Sequence, residues 1–200
     1  MARYRTSRIF PVLLVIVIII IAIVALASLA RVVFFSGSSS PAAETDVSQQ
    51  ALLSTTADRS VQMTVRGPIV ADEQFSSYQI TISPNSRTLT TYSGYLDRVV
   101  DQVRLGNNIP AYEEFVFALD RAGLAGGSEY GDERDDIRGV CATGRVYEFS
   151  ILKDSTSIKT LWSATCRSAN GTLDGSTSQV RELFHDQVPD ADELIREIDL

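Results

Sequence analysis

Residues 11–30 read PVLLVIVIIIIAIVALASLA, with no charged side chain and a single hydroxyl, Ser28. At about 1.5 Å per residue this makes a helix of about 30 Å, the thickness of a bilayer's hydrocarbon core. A helix that is apolar on every side has no face to turn to water, so it cannot be a surface helix of a soluble domain. Pro11 suits the first turn, where its missing N–H is not needed. The preceding MARYRTSR carries Arg3, Arg5 and Arg8 and no acid, whereas only Arg31 lies between the run and the neutral SGSSSP. This asymmetry predicts the N-terminus inside and the remainder outside.

A cleaved export signal has the same polarity, and Ala25-Leu26-Ala27 fits its cleavage pattern. The length of the run favours a retained anchor, because a signal core is usually about 7–15 apolar residues. The predicted division is a cytoplasmic basic N-terminus (1–8), a transmembrane helix (9–35), a flexible tether (36–60) and an extracytoplasmic domain (61–200). The lipid bilayer is then the first partner.

All 25 acidic residues lie after residue 40, against 14 basic ones there, a formal net charge of −11. Such a domain repels phosphate backbones, which argues against nucleic acid as a partner. Cys141 and Cys166 are the only cysteines. In an exported domain the pair is most simply one disulfide; two buried thiols are the alternative if the domain faces the cytosol. Two cysteines and one distant histidine do not make a zinc site.

The tether, SGSSSPAAETDVSQQALLSTTADRS, lacks a sustained apolar period, with at most a short helix at 47–53. Strand signals follow. VQMTVRGPIV (61–70) is rich in β-branched residues and interrupted by Gly67-Pro68. Residues 77–83 and 86–93 form a predicted hairpin around Pro84-Asn85. Residues 97–105 fit either a helix stripe or a third paired strand, and the valines favour the strand. A second hairpin turns at Asp154-Ser155; a register with Tyr147 opposite Trp162 and Ile151 opposite Ile158 fills one apolar face. It brings the two cysteines within a diagonal step, with Gly144 available for a kink.

Three helices are predicted. The first, 110–122, opens at Pro110 and ends at Gly123, with an apolar stripe of Tyr112, Phe115, Val116, Leu119 and Ala122. Phe117 lies off that stripe and is a candidate contact residue. The second spans 177–187, with Val180, Leu183, Phe184 and Val188. The third, 190–198, has Asp190 and Glu193 as a capping box. The predicted class is α+β: antiparallel hairpins with about three helices over one face.

Chemistry is sparsely signalled. His185 is the only histidine. A base there needs a nucleophile and an orienting acid beside it, and the sequence-adjacent Asp186 does not face it on a helix. The expectation is a surface histidine. Asp132, Glu133, Asp135 and Asp136 are weak candidates for calcium, but they lack calcium-loop spacing and alternate with Arg134 and Arg138. A solvated, self-neutralising loop is the better reading. No phosphate-binding glycine loop, nucleophile elbow or HExxH occurs. The sequon at 170–172 matters only in a eukaryotic secretory pathway. No cofactor is implied.

Three segments, FSSYQITISPNSRTLTTYSGY, NNIPAYEEFVFALDRAG and GVCATGRVYEFSILKDSTSIKTLWSATC, with the tail QVPDADELIREIDL, occur in an order with a counterpart elsewhere. The chain resembles a group of uncharacterised single-pass proteins of small-genome candidate-phylum bacteria. That resemblance implies a bacterial envelope setting and carries over no site residue. The expected function is a non-enzymatic envelope module that binds a protein, peptide or glycan. The alternative is an anchored exported hydrolase using carboxylates or a serine.

Overall fold

The computed structural model describes residues 41–167, 169, 171–198 and 200, with side chains from Val47 onward. The predicted anchor and basic N-terminus lie outside the described residues. Among the described residues, no helix is long and apolar enough to cross a membrane.

The domain begins earlier than the sequence suggests. Helix α1 (Pro41–Leu53) occupies most of the expected tether and belongs to the same compact unit as the remainder through Leu200. Leu52 is fully buried, Ala51 and Ser48 are buried beside it, and Gln49 Nε2 donates to both carboxylate oxygens of Asp120, at 3.0 and 2.9 Å. The helix escapes a search for apolar periodicity because two of these buried positions are serine and alanine.

Six strands follow: β1 (Arg59–Arg66), β2 (Ser76–Ile82), β3 (Ser86–Ser93), β4 (Arg98–Gly106), β5 (Val146–Lys153) and β6 (Thr156–Ala164). They form one antiparallel sheet in the order β4-β3-β2-β1-β5-β6. The two expected hairpins are present, and β1 joins them by pairing with β2 on one side and β5 on the other. Residues 98–106 are a strand, as their valines suggest. Pro84 and Asn85 sit between β2 and β3, where Ser83 N–H donates to the Ser86 carbonyl at 2.8 Å.

One face of the sheet is apolar. Val61, Met63 and Val65 align with Ile82, Ile80 and Tyr78 across β2, and with Ile151, Phe149 and Tyr147 across β5. Helices α1, α2 (Ile109–Arg121), α3 (Thr177–His185) and α4 (Ala191–Arg196) contribute to the same core. The predicted α2 stripe of Tyr112, Phe115, Val116, Leu119 and Ala122 is buried. Asn108 caps α2, accepting from Ala111 N–H at 3.0 Å, and Gly123 ends it at φ +84°. The opposite face is polar and self-bonded: Gln62 donates to Thr81, Gln79 to Thr64 and Gln102 to Thr90.

Two expectations fail here. The first is the register of β5 and β6. Asp154 and Ser155 both have positive φ, as a two-residue type I′ turn requires, so Lys153 meets Thr156 and Leu152 meets Ser157. Beyond them a bulge leaves Ile158 without a cross-strand partner, and Ile151 meets Lys159 instead of Ile158. One extra residue reverses the face of everything that follows. Leu161 is buried opposite Phe149, while Trp162 pairs with Glu148 on the other face. There the segment 172–173 closes over the β6 edge: Thr172 N–H and Leu173 N–H donate to the Trp162 carbonyl, at 2.9 and 3.1 Å.

The second is the capping box. Asp190 makes no side-chain cap bond, because its left-handed conformation (φ 63°) is used to turn the chain sharply between α3 and α4.

Cys141 and Cys166 form a disulfide with a Cα separation of 5.5 Å. Pairing continues one step past β5 and β6, with Thr165 N–H donating to the Arg145 carbonyl at 3.0 Å. A Cβ at Gly144 would come within 2.2 Å of Thr165 Oγ1 and 2.8 Å of Cys141 Sγ, so glycine is what lets the loop close there. Closing this loop stabilises the fold by about 3 kcal/mol.

Candidate functional site

A polar cleft lies at one end of the apolar face. Its floor is Tyr78 of β2 and Tyr147 of β5, two residues that flank Val65 in one cross-strand row. One wall is α3, presenting Arg181, Glu182, His185 and, just past its end, Asp186. The other is α4 and the segment after it, with Asp192, Ile195, Arg196 and Leu200, and Arg145 closes the end near β5. The cleft encloses about 720 Å³, within the range of small-ligand sites.

Aromatic packing places the wall. Phe184 is fully buried between Phe115 of α2 and Phe149 of β5, with ring centroids 5.3 and 6.3 Å away. That insertion fixes the rotation of α3 and turns the next residue, His185, into the cleft. Arg87 holds the end of the helix by donating to the Gln187 carbonyl at 3.0 Å. The turn at Asp190 then folds α4 back, so that Asp192 faces the ring.

His185 therefore differs from the surface residue its position suggests. Its side chain is 17% exposed, and both ring nitrogens are engaged. Nε2 lies 2.9 Å from the Tyr78 hydroxyl, and Nδ1 lies 2.8 Å from Asp192 Oδ1. The orienting acid is Asp192, seven positions along, rather than Asp186. Burial pushes the Tyr78 phenol well above its ordinary value and Tyr147 adds to this, while Arg181 and Arg145 pull the other way. The phenol is thus protonated at neutral pH. A neutral ring accepts from it at Nε2 and donates from Nδ1 to Asp192; a protonated ring donates at both ends.

This triad positions more than it activates. A phenol kept protonated is a poor nucleophile, and it occupies the ring nitrogen that a substrate proton would need. Among the described residues no serine lines the cleft, although three acids do. The acids at the mouth, Glu182 and Asp186, are exposed, while Arg145, Arg181 and His185 are half-buried.

The other sequence candidates lie elsewhere. In the acidic loop, Arg134 pairs with Asp132 at 2.8 Å and Arg138 pairs with Asp136. Asp135 accepts from the backbone N–H groups of Tyr130 and Gly131, at 3.1 and 2.7 Å. The side-chain bond from Arg134 holds the Asp132 carboxyl at about 2, and Arg138 does the same for Asp136. Three of the four proposed calcium ligands are thus engaged within the loop itself. Glu133 starts its short 3-10 turn. Among the described residues, no cluster of three or more histidine, cysteine or acidic side chains is placed to hold a metal. Phe117 projects from α2 with 41% of its surface exposed and does not line the cleft.

A second, more apolar cleft of about 400 Å³ lies beside the disulfide, between the Phe75–Tyr95 stack, Ile137 and Glu148. Burial raises the Glu148 carboxyl, with Arg66 opposing. No protein-family model matches the chain, and no curated protein is significantly similar to it.

Sequence reasoning missed the polar cleft because its members come from strands 78 and 147 and helices 181–192, with no local spacing in common. The one available signal was the lone histidine beside a core phenylalanine.

Proposed function

We propose that this chain is a single-pass membrane protein, anchored by residues 9–35, whose acidic extracytoplasmic domain is a non-enzymatic binding module with the polar cleft as its ligand site. The observation that carries this reading is the His185 clamp. The ring is held from both sides by Tyr78 and Asp192, which orients it and leaves neither ring nitrogen free. The arginine asymmetry around the apolar run supports the orientation, and the disulfide suits an oxidising compartment. The resemblance to single-pass proteins of small-genome candidate-phylum bacteria supports an envelope setting. The partner class is an envelope protein, peptide or glycan.

The experiment is a paired assay on the full-length chain in membranes. Ester, peptide and glycoside substrates are tested for turnover, and soluble envelope fragments for saturable binding. Binding without turnover is expected. Turnover that disappears in Asp186→Asn or Glu182→Gln would overturn the reading in favour of a carboxylate hydrolase.

A further inference from the structure

Arg145 and Arg181 are bases of the polar cleft in a domain where acids outnumber bases. Neither arginine is ion-paired with a described side-chain carboxylate. Arg145 Nη2 donates to the Leu200 main-chain oxygen. Both side chains are half-buried and line the same cleft. Arg181 and His185 are four positions apart on α3, hence on one helix face. A guanidinium offers five donors in a planar fork that fits carboxylate and phosphate oxygens.

We infer that Arg145 and Arg181 form the recognition site for a single compact oxyanion, a carboxylate or a phosphate group on the ligand of this cleft. This inference rests on the binding-module reading and names its chemistry. The half-buried guanidiniums attract the group, in a site where solvent screens less than at the surface. The exposed Glu182 and Asp186 at the mouth repel extended polyanions, so one isolated anionic group enters more readily than a charged polymer. Tyr147 and Ile195 supply an apolar side for the remainder of the ligand.

The test uses the disulfide-intact chain in detergent. Acetate and inorganic phosphate are titrated separately, against sodium chloride at matched ionic strength. The readout is the NMR signals of the arginine Nε–H groups and the Tyr147 amide. Saturable shifts with acetate, phosphate or both are expected, and the stronger arm identifies the group. Arg181→Gln and Arg145→Gln each weaken binding at least tenfold. Arg181→Lys, which keeps the charge but loses the fork, weakens it several-fold and decides the matter if Arg181→Gln does not fold. Shifts no larger than those in chloride, or shifts unchanged by Arg181→Lys and Arg145→Gln, would overturn the inference. Failure of both anions while the cleft still captures a partner rejects the oxyanion site and spares the binding module. Anion binding without any partner at the cleft does the reverse.

Discussion

The hydroxyl of Tyr78 lies 2.9 Å from Nε2 of His185, joining a sheet strand to the end of a helix 107 positions away. This bond and the Asp192 contact behind it define the shape of the cleft. Tyr78→Phe keeps the ring in the core and deletes only the hydroxyl. The expected loss is about 1 kcal/mol, the usual net worth of one such bond, read as a lower midpoint in urea unfolding. An unchanged midpoint would mean that the bond does not form in solution.

Two buried phenols set an alkaline limit. Burial raises Tyr78 and Tyr112 above the ordinary tyrosine value, with exposures of 3% and 1%. Below about pH 10 both are protonated in the folded and unfolded chains, and their contribution does not change with pH. Above it the unfolded chain releases these protons while the folded one keeps them, so stability falls as pH rises. The expected slope reaches about 2–3 kcal/mol per pH unit for the two together. Urea titrations at pH 9, 10 and 11 check this, and Tyr112→Phe should reduce the slope.

The β5–β6 bulge makes opposite demands on neighbouring residues. Leu161 is 1% exposed in the core, whereas Ile158 is 39% exposed at the bulge. Leu161→Ala is expected to destabilise by about 2–5 kcal/mol and Ile158→Ala by about 0.5 kcal/mol or less. The unbulged register predicts a large loss at Ile158, so unfolding of these two variants separates the registers.

That bulge also shows where a sequence stops being informative. The α2 stripe was legible because Tyr112, Phe115, Val116 and Leu119 repeat at helical spacing. The Pro84-Asn85 and Asp154-Ser155 turns were legible because turn chemistry is local. The disulfide followed from a strand pair and two cysteines. By contrast, a one-residue bulge leaves no mark in an alternating pattern until tertiary contacts choose a face. Helix α1 hid because Ser48 and Ala51 do part of its packing. The cleft was invisible because Tyr78, Arg145, His185 and Asp192 meet only after the sheet forms and Phe184 docks.

The acidic loop predicts a pKa change with only a small stability change, because the pair is exposed. Asp132 is held at about 2 by Arg134, and both side chains are solvent-exposed. Arg134→Ala should raise the Asp132 carboxyl toward the ordinary range but not to it, because the N–H of residue 134 still donates to Oδ1, and should lower the melting temperature only slightly at neutral pH. An NMR titration of the carboxyl carbons checks the first part and a thermal melt the second.

The most direct test of the account is site-specific photocrosslinking of the full-length chain in its own membranes. A photoreactive residue replaces Glu182 at the mouth of the cleft in one variant and exposed Phe117 on α2 in another. The account predicts a discrete extracytoplasmic product from position 182, reduced by Arg181→Gln, and none from position 117. A product from position 117 alone, or one from 182 that ignores Arg181→Gln, would contradict it.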